Sequence, residues 1–248
     1  MRRAAQLWVL AAALVISGCG GHHQTPTSPE PPQPPAPPAP PPPPPPTLGV
    51  TTIVAFGDSL TEGVNGDTNQ LSPNPYPQRL ATLLQARYTA QTIDVTNAGR
   101  SGERAARASS RLNSVLNEKK PQLLLLLEGA NDLGDAGIQG ATNAVEDLVR
   151  QATYRGVIVM VATYPPENPK GPRGGNAALV PPFNASLRTM AMKKGAMLVD
   201  IYSQFDVSLV GADGLHPSDA GYQRMAEIFR DAIQTAFEQP PPSTALGR

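Results

Sequence analysis

The chain has 248 residues, in which 20 lysines and arginines are balanced by 20 aspartates and glutamates. A chain without net charge lacks the basic field that nucleic-acid binding normally needs, so we expect no nucleic-acid partner. Cysteine occurs once and histidine three times. These counts exclude an internal disulfide and leave too few ligands for a zinc cluster, so we expect no metal site.

Residues 1–18 have the pattern of a bacterial signal peptide. Arg2 and Arg3 provide a positively charged start, and residues 7–16 form an uninterrupted apolar run. A run of this length is too short to span a bilayer, which needs about 20 residues. The segment that ends at Cys19 resembles a lipobox, the processing signal of bacterial lipoproteins. We therefore expect Cys19 to be lipidated and to become the mature N-terminus.

Lipidation would make the membrane a partner of this protein and would place it at the cell envelope. Gly20 stands where inner-membrane retention signals have an aspartate. In a Gram-negative host this favours the outer membrane or its periplasmic face. The alternative is an ordinary secretory signal in which Cys19 is incidental.

Proline dominates the segment that follows, residues 19–47. Such a segment cannot bury a core and favours polyproline II, so that residues 31–46 alone would reach about 50 Å at roughly 3.1 Å per residue. We expect a stiff spacer at 19–47, one folded domain at 48–238 and a Pro-rich disordered tail at 239–248.

Apolar runs and amphipathic stretches alternate along the predicted domain. The apolar runs lack polar alternation, as expected of parallel strands covered on both faces. Five strand–helix alternations predict a doubly wound α/β domain, a three-layer α/β/α sandwich with a five-stranded parallel sheet. The predicted strands are 51–56, 92–97, 122–128, 157–163 and 196–201, and the predicted helices are 79–88, 105–117, 141–154, 184–194 and 217–237.

Residues with useful chemistry follow the predicted strands. The sequence Gly-Asp-Ser-Leu comes directly after the first strand and contains Ser59, which needs a nearby base to act as a nucleophile. Gly102 follows the second strand and Asn131 the third. Asp213 and His216 precede the last helix, and His216 is the only histidine of the predicted domain. Because ligands bind beyond the carboxyl ends of such strands, we expect these residues at one edge of the sheet.

Each of these residues also has an interpretation without chemistry. Gly102 could serve a turn, Asn131 a turn or helix start, and His216 an ordinary loop. The nucleophile elbow of α/β-hydrolases is excluded, because it needs Gly-x-Ser-x-Gly and Thr61 stands at the second glycine position.

The four blocks, in this order and over essentially the whole predicted domain, resemble the SGNH hydrolases, also called the GDSL lipase/esterase family. The resemblance implies the flavodoxin-like fold of that family and ester hydrolysis without a metal or other cofactor. It implies that Ser59 is the nucleophile, that His216 is the base, and that Asp213 orients and stabilises the imidazolium. The implied oxyanion hole consists of the N–H groups of Ser59 and Gly102 and the side-chain amide of Asn131.

From this resemblance we expect a serine esterase or lipase that acts through an acyl-enzyme intermediate on short or medium acyl esters or lysophospholipids. The alternatives are a carbohydrate O-acetylesterase and a non-catalytic envelope-binding module. Loops 65–76 and 164–182 would set the substrate preference. The single tryptophan, Trp8, lies in the predicted signal peptide. Tyr76 and Tyr164 would therefore be the aromatic candidates for a sugar platform.

Two sets of charged residues remain. Asp58 and Asp132 are expected to hold their loops by hydrogen bonds to the backbone. Four arginines after the second strand recur at helical spacing, which predicts a basic stripe on one helix. We expect a solvated helix face, with attraction of an anionic group to Arg100 or Arg104 as the alternative. The four are Arg100, Arg104, Arg107 and Arg111.

Overall fold

The computed structural model describes residues 44–239 of the chain. These residues form one five-stranded sheet and a separate pair of two-residue strands. In chain order the strands are β1 (Thr47–Leu48), β2 (Thr52–Gly57), β3 (Asp94–Gly99), β4 (Leu123–Leu127), β5 (Ile158–Ala162), β6 (Met197–Val199) and β7 (Glu238–Gln239). The α-helices are α1 (Ser59–Glu62), α2 (Tyr76–Arg87), α3 (Ser109–Lys119), α4 (Leu133–Thr153), α5 (Val180–Lys194) and α6 (Asp219–Phe237).

The strand order of the large sheet is β3-β2-β4-β5-β6, and every neighbouring pair is parallel. Helices α2 and α6 pack against each other on one face, while α4 packs against α3 and α5 on the other. The predicted three-layer sandwich around a five-stranded parallel sheet is confirmed. Its strand order is that of flavodoxin-like folds.

The winding direction of the chain reverses between β2 and β4. From β2 the chain moves outward to β3, and it then returns to the other side of β2 to form β4. In open sheets of this kind, ligands bind in the crevice outside the carboxyl ends of the strands at such a reversal. The residues that follow β2, β3 and β4 are therefore the candidates for a ligand site.

Strand β4 consists of five leucines, none of which has exposed surface. The edge strand β6 is shorter than the predicted strand 196–201. The N–H of Ala196 donates to the carbonyl of Ala191 at the end of α5, and the N–H of Ile201 donates to the carbonyl of Val199. Both backbone N–H groups are thus used in local turns, and neither residue pairs with the neighbouring strand.

Several helices depart from their predicted bounds. The predicted helix 105–117 is divided, because a 3-10 turn at Ala105–Arg107 precedes α3. The carboxylate of Asp132 accepts a hydrogen bond from the N–H of Ala105 at 2.8 Å, which holds this turn. Helix α4 begins earlier than predicted and is interrupted at Gly137, where φ is 64° and ψ is −178°. Helices α2 and α5 also begin earlier, and α6 begins later.

The predicted basic stripe does not form on one helix. Arg100 and Arg104 precede the 3-10 turn, and the backbone of Arg104 is extended, with φ −108° and ψ 136°. Arg107 ends the turn, whereas Arg111 lies in α3 with its guanidinium carbon 3.8 Å from the ring centroid of Phe56. The expectation of a solvated helix face is wrong for Arg111, because the broken helix turns this residue towards the sheet.

Strands β1 and β7 pair antiparallel and join the two ends of the described segment. The carboxylate of Glu238 also accepts hydrogen bonds from Arg87 at 2.6 and 2.7 Å. Thr47 and Gln239, which lie just outside the predicted domain, pair with each other here.

The predicted signal peptide 1–18, the predicted lipidation site Cys19, most of the predicted spacer and nearly all of the predicted tail lie outside the described residues. Within residues 44–239, no helix is both long enough and apolar enough to cross a membrane.

The connection between β5 and α5 contains a buried carboxylate. Glu167 is 7% exposed, and its Oε2 accepts a hydrogen bond from the N–H of Asn176 at 2.9 Å. Burial raises the pKa of Glu167 from 4.5 to about 7, and the hydrogen bond from Asn176 offsets this only in part. The folded protein therefore retains a proton at pH values where the unfolded chain has lost it.

We predict that Glu167→Gln makes the protein more stable at alkaline pH. The contribution of protonated Glu167 to stability is fully present below pH 4.5 and is lost as the pH rises through about 7. Glutamine keeps an acceptor for Asn176 and does not titrate. Thermal unfolding should give similar Tm values for variant and wild type at about pH 5 and a higher Tm for the variant at about pH 8.

The exposed Glu118→Gln is the matched control, since it removes the same charge from the surface. Its Tm should follow the wild type at both pH values. A Tm difference between Glu167→Gln and the wild type that is the same at both pH values would contradict the raised pKa.

Candidate active site

Ser59 lies at the carboxyl end of β2, two residues after the strand ends. The Oδ1 of Asp58 accepts a hydrogen bond from the N–H of Leu60 at 2.9 Å and so starts the short helix α1. Gly57 permits this tight turn, because a Cβ there would lie 2.1 Å from the hydroxyl oxygen of Thr61. The local sequence thus places the Ser59 side chain directly at the edge of the sheet.

Asp213 and His216 share a turn that leads into α6, and both are buried. The Oδ1 of Asp213 accepts hydrogen bonds from the N–H groups of Leu215 and His216, both at 2.9 Å. Its Oδ2 lies 2.6 Å from Nδ1 of His216. The backbone bonds orient the carboxylate, so that its second oxygen is available to the imidazole.

The same imidazole reaches Ser59 across 157 residues of sequence, with Nε2 of His216 2.8 Å from Oγ. Burial opposes ionisation of Asp213, but hydrogen bonds from the His216 side chain and from two backbone N–H groups outweigh it and lower the pKa of this carboxyl. An ionised Asp213 can only accept, so Nδ1 carries the proton and donates it. Nε2 is then the acceptor for the hydroxyl of Ser59. The structure therefore brings together the three residues that we predicted as a triad.

Both loops predicted to shape the substrate site also hold the turn that contains Asp213 and His216. From one loop, the carbonyl of Gly66 accepts a hydrogen bond from the N–H of Asp213 at 2.9 Å. From the other, the N–H of Arg173 donates to the carbonyl of Asp213 at 2.7 Å, and that of Asn168 to Gly214 at 2.8 Å. The positions of Asp213 and His216 thus depend on these two loops.

The other predicted donors lie after β3 and β4. Asn131 belongs to a 3-10 turn, and its Nδ2 donates to the carbonyl of Glu103 at 2.8 Å and to Oδ2 of Asp58 at 3.4 Å. Gly102, which precedes Glu103, is exposed and has a positive φ of 73°. The amide of Asn131 therefore links the loop of Gly102 to the residue before Ser59.

Asp58 has more contacts than the predicted backbone bond. Its Oδ2 also accepts a hydrogen bond from the hydroxyl of Tyr164 at 2.6 Å. Burial raises the pKa of Asp58 to about 6, although the bonds from Tyr164 and from the N–H of Leu60 favour the carboxylate. Asp132 holds the backbone of Ala105, as expected.

The contacts of Arg111 were not predicted from the sequence. Its Nε donates to both carboxylate oxygens of Glu103, at 2.8 and 2.7 Å, and its Nη1 donates to the carbonyl of Ala98 at 2.6 Å. The guanidinium lies over Phe56. Arg111 thus ties the loop of Gly102 to the ends of β2 and β3. The signal in the sequence was Glu103, an acid directly after Gly102 that needs a positively charged partner when it is buried.

Glu128 follows β4 and lies near the same arginine, with Oε1 3.9 Å from Nη2 of Arg111. Burial raises its pKa well above the ordinary value, and the charges of Asp58 and Glu103 act in the same direction. Its Oε1 has no hydrogen-bond partner among the described residues. A proton on Glu128 relieves the cost of a buried second carboxylate beside Asp58.

The tyrosines considered as a sugar platform are buried. Tyr76 has no exposed surface and stacks on Phe229 with a centroid separation of 4.8 Å. Tyr164 is 2% exposed and bonds to Asp58. Neither ring can stack on a sugar, so this expectation is wrong.

The chain matches the model of the GDSL-like lipase/acylhydrolase family over residues 55–224, a range that contains all the predicted triad and oxyanion residues. It is 28% identical to the esterase TesA of Pseudomonas aeruginosa over 188 residues, which are 71% of this chain and 84% of that protein. It is 25% identical over 125 residues to a multidomain esterase of Ruminococcus flavefaciens, covering 48% of this chain and 16% of that protein.

Among solved structures, a carbohydrate acetylesterase from Sinorhizobium meliloti has a TM-score of 0.64 and 17% identity, with coverage of 75% of this chain and 99% of that one. This likeness concerns the fold. The family model spans more than half of the chain, and the chain therefore belongs to the GDSL-like lipase/acylhydrolase family.

Proposed function

We propose that this protein hydrolyses carboxylic esters through an acyl-enzyme intermediate. The observation that carries the proposal is the unbroken chain of hydrogen bonds from Asp213 through His216 to Ser59. It lies where the winding of the sheet reverses, at the position expected for a ligand site. Family membership and relatives named as esterases support the same activity.

In the first half of the reaction, Oγ of Ser59 attacks the ester carbonyl while Nε2 of His216 takes its proton. Ionised Asp213 stabilises the imidazolium that results. The negative charge that develops on the carbonyl oxygen would be held by the N–H groups of Ser59 and Gly102 and by the amide of Asn131. When the tetrahedral intermediate collapses, the alcohol leaves with the proton of His216.

In the second half, water takes the place of the alcohol. His216 removes a proton from the water, whose oxygen attacks the acyl carbon bonded to Ser59. Collapse of the second tetrahedral intermediate releases the carboxylic acid, and the proton returns from His216 to the serine oxygen. The cycle consumes one ester and one water, releases one alcohol and one carboxylic acid, and leaves the protein unchanged.

For the substrate we propose a short or medium acyl ester or a lysophospholipid. A relative that matches 71% of this chain is named an esterase. Hydrolysis of acetylated carbohydrates is the alternative, since a solved structure of similar fold is named a carbohydrate acetylesterase. The burial of Tyr76 and Tyr164 removes the two aromatic rings that could have supported a sugar.

We predict that the purified protein cleaves p-nitrophenyl esters and that Ser59→Ala abolishes this cleavage, because the variant has no nucleophile. A series from acetate to palmitate, followed by release of p-nitrophenol, gives the acyl preference. A maximum at acetate favours the acetylesterase, whereas a maximum at longer chains favours the lipid esterase. The exposed Ser110→Ala on α3 is the control and should retain wild-type rates.

If wild type and Ser59→Ala were equally inactive on this series, on envelope lipids and on acetylated glycans, ester hydrolysis would be refuted. A non-catalytic binding module would then be the better interpretation of the fold.

We predict that Asn131→Ala lowers kcat by about 10²- to 10³-fold and changes KM little, because an oxyanion-hole donor acts in the transition state. Steady-state kinetics on the preferred p-nitrophenyl ester measures both constants, and Tm shows whether the variant is folded. Asn143→Ala, at an exposed position of α4, is the matched control. A variant with raised KM and unchanged kcat would assign Asn131 to ground-state binding instead.

We also propose that lipidation of Cys19 anchors the protein at the cell envelope. The proposal is supported by the charged start, the short apolar run and the lipobox-like sequence before the only cysteine of the chain. The Pro-rich segment that follows would hold the domain away from the membrane.

We predict that Cys19→Ser moves the full-length protein from the membrane fraction to the soluble fraction and prevents labelling by radioactive palmitate in a Gram-negative host. Ser28→Ala, in the spacer, is the control and should stay labelled and bound to the membrane. A wild-type protein that is soluble and unlabelled would show an ordinary secretory signal instead.

A further inference from the structure

A cavity of about 330 Å³ opens beside the glycine that we assign to the oxyanion hole. Since Gly102 contributes its backbone to this cavity, a substrate bound with its carbonyl oxygen at that glycine would have another part next to the side chains of the lining. Three of the six lining residues are arginines. The lining consists of Arg100, Ser101, Gly102, Glu103, Arg104 and Arg107.

Carboxylates near the cavity already have partners. Glu103 binds Arg111 through two contacts at 2.8 and 2.7 Å, and Asp135 forms an ion pair with Arg104. Glu62 accepts a hydrogen bond at 2.6 Å from the backbone N–H of the lining serine and a second from its hydroxyl. These acids therefore leave the remaining two arginines of the lining without a close carboxylate partner, since the shortest such contact is 4.0 Å.

Arg100 and Arg107 are those two arginines. The side chain of Arg100 is 68% exposed, and its closest approach to a carboxylate is 4.0 Å, to Glu103. Arg107 is exposed and forms no ion pair within residues 44–239. Exposed guanidinium groups without a close carboxylate partner are suited to bind phosphate or carboxylate, with which they form charge-assisted hydrogen bonds.

Backbone hydrogen bonds set the spacing of these side chains. The N–H of Glu103 donates to the carbonyl of Arg100 at 3.1 Å, and the N–H of Arg107 donates to that of Arg104 at 2.9 Å. Two consecutive turns thus present Arg100 and Arg107 around Gly102. Because the predicted helix is broken, Arg107 ends a 3-10 turn and does not belong to α3.

We propose that this cavity binds an anionic group of the ester substrate, phosphate or carboxylate, and that the protein prefers anionic esters to neutral ones. The proposal rests on the ester hydrolysis proposed above and adds the substrate class. It assigns Arg100 and Arg107 to substrate selection, since neither belongs to the chain of hydrogen bonds that ends at Ser59.

The test uses the purified full-length protein and two matched pairs of esters. In the first pair, p-nitrophenyl butyrate is neutral and mono-p-nitrophenyl glutarate carries a carboxylate on its acyl chain. In the second, 1-monobutyrin is neutral and 1-butyryl-glycerol 3-phosphate carries a phosphate on its alcohol. For each pair the readout is the ratio of kcat/KM for the anionic ester to kcat/KM for the neutral ester.

We expect Arg100→Ala/Arg107→Ala to lower this ratio about five- to tenfold in at least one pair, mainly through KM, because exposed ion pairs contribute modestly. The pair that responds shows whether the anion is the carboxylate of the acyl group or the phosphate of the alcohol. Arg150→Ala/Arg155→Ala, which removes the same charge from exposed positions, is the control and should keep the wild-type ratio.

A ratio that the double variant changes in neither pair would overturn the proposal, and so would an equal change in the control. Both of these outcomes leave ester hydrolysis intact. If none of the four esters were cleaved faster than by Ser59→Ala, the preference for anionic esters would be overturned, whereas ester hydrolysis itself is decided by the wider substrate series described above.

Discussion

The two-sided burial of the parallel sheet is the constraint on which the rest of this structure depends. The five leucines of β4 have no exposed surface, and helices cover both faces of the sheet. A polar side chain in the middle of such a strand would be desolvated without a partner. Chemistry is therefore confined to the strand ends, and the reversal of winding brings the ends of β2, β3 and β4 together. Ser59, Gly102 and Asn131 each follow one of these ends.

Charged groups are nevertheless buried directly behind this edge, and Arg111 organises them. It binds Glu103, the carbonyl of Ala98 and the ring face of Phe56, so that one side chain connects two strand ends to the loop of Gly102. Breaking a buried pair of this kind is costly, because the remaining charge is left uncompensated. The raised pKa of the neighbouring Glu128 follows from the same low polarity. Electrostatic contacts thus hold the loop of Gly102 from its buried side.

Asp213 and His216 depend on different support. The two residues are joined by a short local turn. His216 was predicted as the only histidine of the predicted domain, whereas the role of Asp213 was implied by the family resemblance. Their approach to Ser59 is long-range, and it is maintained by backbone hydrogen bonds from Gly66, Asn168 and Arg173. Those loops have no periodic pattern, so their shape could not be derived from residue order. The three residues Ser59, Asp213 and His216 were predictable as a set, whereas the loops that hold them were not.

Structural features that produce a repeating pattern in the sequence could be predicted from the sequence alone. Apolar runs and amphipathic spacing predicted the five strands, the doubly wound architecture and the edge at which chemistry is placed, because burial of one face or two imposes a period on the sequence. Contacts between distant segments have no such period. Asp132 holds the start of a predicted helix as a turn. Arg111 packs on Phe56 of the sheet and is not part of a basic stripe. Tyr164 is buried against Asp58. Tertiary packing decided these features, since each depends on a partner at least 27 residues away.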